Sequence, residues 1–155
     1  MSNVRSRNFF VRELDRADLD NGFYESLSNL SNVSGIDRLQ ALQLFNFIKS
    51  DLLHKIFVAV LNDGKVIGSI SVLIEKKFIH NCGKVAHIED VVTRKGYEGI
   101  GIGSALVERA LEFSANLGCY KVILDCSESN VAFYEKNGFK RYGVAMRYDL
   151  DLANK

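Results

Sequence analysis

The run Tyr97-Glu98-Gly99-Ile100-Gly101-Ile102-Gly103-Ser104 constrains the fold more than any other part of the chain. An apolar, β-prone stretch, residues 85–93, leads into it. A segment with Leu106, Ala110, Leu111 and Leu117 at helical spacing, residues 103–117, leads out. A strand therefore ends, turns and becomes a helix within this run. Glycines allow positive φ and let a ligand approach the backbone closely. The helix beyond presents unpaired N–H groups and the positive end of its dipole. Together these features suit a pyrophosphate; a tight turn without ligand is the plainer alternative.

The order of the glycines narrows the ligand. It is G-x-G-x-G, whereas a Rossmann dinucleotide site uses G-x-G-x-x-G with an acid about 20 residues on. Asp125 stands at a comparable distance, but strands and helices already precede the loop, where a Rossmann domain opens on it. No Gly-Lys-Ser/Thr follows, so this is not a Walker loop.

Upstream, residues 9–14 read as a short strand. Asp15 offers an N-cap with Asp18 three residues later, and Leu19, Phe23, Leu27 and Leu30 follow at helical spacing. Ser34-Gly35-Ile36-Asp37 reads as a capping box with Asp in place of Glu. It opens a second helix whose stripe is Leu39, Leu42, Phe45, Ile48 and Leu52. Residues 56–61 and 66–74 are strands joined through Asn62-Asp63-Gly64-Lys65, since Asp-Gly suits a hairpin turn. Residues 121–125 form a short buried strand, 129–137 a short helix stopped by Gly138 at C′, and 139–150 a last strand. The order β-α-α-β-β-β-α-β-α-β predicts an α/β (α+β) protein with a central mixed sheet flanked by helices. A chain of 155 residues, 47% hydrophobic and 25% charged, is expected to be one domain over 1–155.

A net charge of +1 argues against a large nucleic-acid footprint. No run of 18 apolar residues suggests a membrane span, and the polar start, Met1 to Asn8, lacks a signal-peptide core. Cys82, Cys119 and Cys126 are odd in number and widely spaced, which fits neither a disulfide framework nor zinc. A reducing, cytoplasmic location is expected. Cys126 reads as a small apolar filler rather than a nucleophile. The histidines are scattered, so no metal is expected, and His54 and His87 fall in no ligand or base motif.

Two stretches carry a resemblance. Glu98, Gly101 and Gly103 stand at the marked positions of Gln/Arg-x-x-Gly-x-Gly/Ala, the pyrophosphate motif of the GNAT superfamily. Glu98 departs from the usual Gln or Arg; a carboxylate beside a pyrophosphate is unhelpful, so it is expected to turn away. Asn130-Val131-Ala132-Phe133-Tyr134-Glu135-Lys136-Asn137-Gly138-Phe139 resembles the superfamily's Asn-x-x-Ala-x-x-Phe-Tyr-x-x-x-Gly-Phe region in its Asn, Phe-Tyr and Gly-Phe parts. His87-Ile88-Glu89-Asp90, Lys76-Lys77-Phe78-Ile79-His80 and residues 118–126 resemble segments of the glucosamine 6-phosphate N-acetyltransferase family. Leu30-Ser31-Asn32-Val33 is similar to that family's Leu-Thr-Thr-Val. The resemblance is strongest from about residue 75 to 146.

This resemblance implies the GNAT acyl-CoA N-acyltransferase fold and acetyl-CoA as co-substrate. It implies acetylation of glucosamine 6-phosphate on the route to UDP-N-acetylglucosamine, by a homodimer with sites near the subunit interface. Val91, Val92, Thr93, Gly99, Ile100, Gly101, Ile102, Gly103, Ser104, Asn130 and Tyr134 then line the acetyl-CoA site. Ser31, Lys77, His80, Tyr120, Lys121 and Asp125 match the sugar-phosphate region. Arg147 is the candidate for a basic residue that the last strand lends to the partner's site, although the family residue aligns near Asp149.

The chemistry assigns the remaining roles. The attacking amine must be neutral, and a carboxylate, or a water held by one, can take its proton. Glu89 and Asp90 lie inside a predicted strand, where charges are costly unless used or paired. Neighbours in a strand face opposite sides, so one is expected at the reacting centre and the other in a structural role. The oxyanion needs N–H donors, and the resemblance to the superfamily implies that the backbone near Val91 and Val92 supplies them. Tyr134 holds the superfamily position of the acid that protonates the CoA thiolate; a packed aromatic is its plainer reading, as helix capping is for Asp125. Two rivals remain: a GNAT enzyme acting on a protein N-terminus or another small amine, and an acetyl-CoA-binding sensor without catalysis.

Overall fold

The computed structural model describes residues 8–150. Most of the polar start read for a signal peptide, residues 1–7, lies outside the described residues. The chain divides into two compact units, Met1–Leu124 and Asp125–Lys155.

The first unit is built on a sheet of β1 (Phe9–Glu13), β2 (His54–Leu61), β3 (Val66–Lys76), β4 (Lys84–Thr93) and β5 (Cys119–Ile123), side by side in chain order. The first four strands run antiparallel, and β5 runs parallel to β4. That reversal requires a crossover, which helix α3 (Ile102–Asn116) supplies. The mixed sheet flanked by helices is the architecture expected from the sequence. Phe57, Val58, Val60, Val66, Ile67, Ile70 and Val72 form the core with Ile102, Leu106, Val107 and Ala110 of α3. Each such buried side chain contributes roughly 1.5–3 kcal/mol. Gly68 lets α3 sit close: a Cβ there would lie 2.7 Å from Ile102 Cγ2.

The first predicted helix is two pieces, a 3-10 turn (Arg16–Asp20) and α1 (Phe23–Leu27). Its start is as expected, with the full Asp15–Asp18 capping box. The break falls at Gly22, which has φ 98° and would place a Cβ 2.6 Å from the Val66 carbonyl oxygen. Asp18 is buried and held by Arg12 through bonds of 2.6 and 2.8 Å. Helix α2 (Arg38–Ser50) is capped by Asp37, which accepts from the Gln40 N–H at 2.9 Å. Ser34, the expected cap, bonds Asn32 instead. Leu42 and Phe45 pack onto the cluster of Leu14, Leu19, Phe23, Val58, Val60 and Val66. Leu39 and Leu52 of the expected stripe are exposed; α2 packs along β2, and Leu52 lies beyond the helix's last residue, Ser50. The Asn62–Lys65 turn forms as expected, with Gly64 N–H donating to Leu61 O at 2.9 Å.

The second unit holds a 3-10 turn (Glu128–Asn130) and α4 (Val131–Lys136). Gly138 has φ 88°, and Phe139 N–H and Gly138 N–H donate back to Tyr134 O and Glu135 O, both at 3.0 Å. This is the Schellman closure the sequence announced. The predicted last strand, 139–150, is not formed. Its residues alternate as a strand's do, but no described strand pairs with them. Tyr142, Val144, Met146, Tyr148 and Leu150 are all exposed.

Candidate active site

The centre of the first unit is an irregularity in β4. Ser69 pairs with Val92 and Ser71 with Glu89, so Ile70 faces two residues, Asp90 and Val91. This is a β-bulge, and Asp90 adopts φ 50° within it. The bulge cancels the alternation expected for Glu89 and Asp90. Both lie inside β4 as expected but are exposed, so neither needs a buried partner and the two are not forced into separate roles. The β4–β5 ladder ends at His87 and Ile123, while β4 continues to Thr93. The later half of β4, with Val91, Val92 and Thr93, therefore offers its β5-side edge to another chain of amides.

The glycine loop begins where β4 ends. Gly99 and Gly101 have φ 77° and 91°, and a Cβ at either would meet nothing within 4 Å. Gly101 is the N-cap of α3 and makes no side-chain cap bond. The first turn, Ile102, Gly103 and Ser104, thus keeps its donors for an anion, beside open space at Gly99 and Ile100. Glu98 turns back within the loop as expected: its Oε2 accepts from Gly96 N–H at 2.7 Å.

At the far end of the sheet the β3–β4 connection makes a left-handed turn. His80, Asn81 and Cys82 have φ 54°, 56° and 58°. Such a conformation costs a non-glycine residue roughly 1–2 kcal/mol. The turn lays the His80 ring against Tyr120, centroids 4.2 Å apart, and Lys121 Nζ lies 5.7 Å from the Tyr120 ring centroid. Lys77 Nζ donates to Glu75 Oε1 at 2.8 Å, and His87 Nε2 bonds Glu75 Oε2 at 2.7 Å. Lys77 first and His87 second hold the Glu75 carboxyl below its ordinary range. His80, Tyr120 and Lys121 are thus one cluster, and Lys77 is engaged by Glu75. Ser31 is exposed just after α1, its N–H on Leu27 O at 3.1 Å. His87 stands in the resembled His87-Ile88-Glu89-Asp90 segment without a role, and only the hairpin register, Glu75 opposite Val85 and Leu73 opposite His87, reveals Glu75 as its neighbour.

In the second unit, Asp125 and Asn130 are exposed. Tyr134 is half-buried, edge-on to Phe133 at 4.9 Å and Phe139 at 5.8 Å. Burial first, then Cys126 and Asp125, push its phenol up, so it is protonated at neutral pH. Arg147 and Asp149 are exposed and bonded to each other at 2.6 Å. A concavity of about 480 Å³ in the first unit, bordered by Phe9, Arg109 and Glu112, contains none of the residues singled out from sequence. Among the described residues no cluster of His, Cys, Asp and Glu is arranged to hold a metal, and no helix is long and apolar enough to cross a membrane.

A bulged strand with a free edge, running into a glycine turn and a helix N-terminus, is what an acyl-CoA needs. The chain belongs to the acetyltransferase (GNAT) family, whose model matches residues 21–139. It is 41% identical over 157 residues to glucosamine 6-phosphate N-acetyltransferase 1 of Dictyostelium discoideum, covering 100% of this chain and 99% of that one. It is 39% identical to the Candida albicans glucosamine 6-phosphate N-acetyltransferase, over 89% of this chain and 93% of that one. The crystal structure of glucosamine-6-phosphate N-acetyltransferase from Arabidopsis thaliana superposes with a TM-score of 0.89 at 39% identity, covering 92% of this chain and 99% of that one.

Proposed function

We propose that this chain transfers the acetyl group of acetyl-CoA to the amine of glucosamine 6-phosphate, giving N-acetylglucosamine 6-phosphate and CoA. The end-to-end match to a relative of that name carries the reading. The bulged β4, the glycine loop and the His80–Tyr120–Lys121 cluster support it with suitable chemistry. The first turn of α3 takes the pyrophosphate, and the free edge of β4 takes the pantetheine. Backbone N–H groups at the bulge polarise the thioester carbonyl. Glu89 or Asp90, directly or through water, removes the amine proton, and Tyr134 protonates the departing sulfur. Ser31, Lys77, His80, Tyr120, Lys121 and Asp125 recognise the sugar phosphate.

The finer assignments rest on the same reading. The family model runs through both compact units, which supports one functional domain over 1–155. Free thiols at Cys82, Cys119 and Cys126 suit a reducing cytoplasm. The exposed apolar alternation from Tyr142 to Leu150 suits a homodimer in which this segment pairs with the partner and brings Arg147 toward the partner's site.

The test is thiol release from acetyl-CoA with glucosamine 6-phosphate, glucosamine, glucosamine 1-phosphate and a peptide amine in parallel. Rapid release with the 6-phosphate alone is expected. Release only with the peptide or the unphosphorylated sugar would move the chain to another acceptor. Tight acetyl-CoA binding with no release would make it a sensor.

A further inference from the structure

Two loops that the proposed reaction gives to different substrates are joined by one side chain. In that reaction acetyl-CoA lies along β4 at Val91 to Thr93 and on the first turn of α3, and residues 94–98 span the gap between the two. This turn is anchored at the β4 end, where Arg94 N–H donates to Ile67 O at 2.8 Å, and Tyr97 N–H closes it on Arg94 O at 3.0 Å. Its outer contacts come from elsewhere in the chain. Lys65 Nζ donates to Tyr97 Oη at 3.2 Å. Arg94 lies beside the start of α1, since a Cβ on Gly22 would stand 3.1 Å from its Nη1. Past the end of α1, Asn29 Oδ1 accepts from Lys95 N–H at 3.0 Å.

Asn29 belongs to the other loop. Helix α1 ends at Leu27, but the chain stays wound on it. Asn29 N–H donates to Ser26 O at 3.2 Å, Leu30 N–H to Leu27 O at 2.9 Å and Ser31 N–H to Leu27 O at 3.1 Å. Ser31, the sugar-phosphate candidate here, therefore sits two residues from Asn29 in one continuous turn. The side chain of Asn29 reaches the cofactor loop while its backbone shapes the sugar loop. Asn29 is exposed, so water competes for its bond, and such a bond shifts an equilibrium by roughly two- to tenfold.

We propose that Asn29 is a positioning residue that couples the two substrates: acetyl-CoA, by fixing the 94–98 turn, steadies Asn29 and with it Ser31, and so tightens the sugar-phosphate site. The inference rests on the acetyltransferase reading and on Ser31 as a contact to the sugar phosphate. Ordering a loop costs conformational entropy, and a loop already ordered by the first ligand is not ordered again by the second. The coupling is reciprocal, so the sugar phosphate tightens CoA by the same factor. Only Oδ1 of the carboxamide is used toward Lys95, so an aspartate at this position preserves the link and an alanine removes it.

The experiment is calorimetry with CoA, which cannot transfer an acetyl group. The Kd of glucosamine 6-phosphate is measured alone and at saturating CoA, for the unmodified chain, Asn29→Ala and Asn29→Asp. In the unmodified chain CoA is expected to tighten the sugar phosphate about fivefold or more. In Asn29→Ala that ratio is expected to fall below about twofold, while the Kd of CoA alone stays within about twofold of the unmodified value. Asn29→Asp is expected to bring the ratio back to within about twofold of the unmodified one. A merely structural role would weaken both ligands alike and leave the ratio where it was. An unmodified ratio below about twofold, a ratio that survives Asn29→Ala, or a loss that Asn29→Asp does not restore would each overturn the proposal. In each of these results the unmodified chain still binds glucosamine 6-phosphate, so the substrate reading stands; a chain that fails to bind it at any CoA concentration sinks that reading and the coupling with it.

Discussion

A phenol serves as an acid only while it keeps its proton, and the surroundings of Tyr134 favour the protonated form. Burial between Phe133 and Phe139 disfavours the phenolate, and the neighbouring Cys126 and Asp125 add to this. A raised phenol pKa puts the alkaline limb of the kcat profile above the ordinary 10.0. Tyr134→Phe keeps the ring packing and removes the proton. It is expected to lower kcat about 100-fold while acetyl-CoA Kd, measured by calorimetry, stays within twofold. A turnover unaffected by the change would return Tyr134 to a packing role. A second residue-scale prediction concerns Asp18, whose side chain is 3% exposed against 35% for Arg12. Arg12→Met strands that carboxylate in the interior. Breaking a fully buried pair costs about 3–5 kcal/mol, and the partial exposure of Arg12 lowers the expectation to about 2 kcal/mol in urea unfolding. A loss below about 0.5 kcal/mol would mean that water reaches Asp18 freely.

Among the elements, β4 and α3 do most to place the chemistry, and they meet at Gly68. A side chain there would press on Ile102 Cγ2 at 2.7 Å, on the Val92 carbonyl at 3.0 Å and on Leu106 at 3.2 Å. Gly68→Val must therefore push the first turn of α3 away from β4. It is expected to destabilise the fold by about 1–3 kcal/mol and to weaken acetyl-CoA binding as the loop donors shift. Calorimetry showing unchanged affinity would place the pyrophosphate elsewhere. The strand, the glycine turn and α3 were legible in the sequence because each depends on neighbouring residues, as do the Asp15–Asp18 box, the Asn62–Lys65 turn and the Gly138 stop. The misreadings share another cause. The break at Gly22 reflects the approach of the Val66 carbonyl, from a strand distant in sequence. The exposure of Glu89 and Asp90 follows from a bulge that only the β3–β4 register reveals. The Glu75–His87 bond is likewise a matter of register. Of the site residues, the loop is set by local rules, whereas the sugar-phosphate cluster depends on how a left-handed turn meets β5.

For the molecule as a whole, the informative segment is the one that joins none of the described strands. From Tyr142 to Leu150 the apolar residues fall at every second position, and Arg147 and Asp149 occupy the alternate ones. A strand built from this run would have one apolar face. Tyr142, Val144, Met146, Tyr148 and Leu150 are between 75% and 90% exposed. Each forfeits roughly 1.5–3 kcal/mol while it stays in water. A run that alternates in this way can pair as a strand with a second chain, and closed symmetric dimers are the commonest outcome. The chain is therefore expected to sediment as a dimer at micromolar concentration. Val144→Asp with Met146→Asp places two charges on the apolar face and leaves Arg147 in place. That variant is expected to sediment as a monomer, and its turnover of the sugar phosphate is expected to fall at least tenfold, because the basic side chain no longer reaches a partner's site. Acetyl-CoA binding, which depends on β4 and the α3 loop within one chain, should persist in the monomer. A variant that is monomeric yet fully active would confine the whole site to a single chain and remove Arg147 from it.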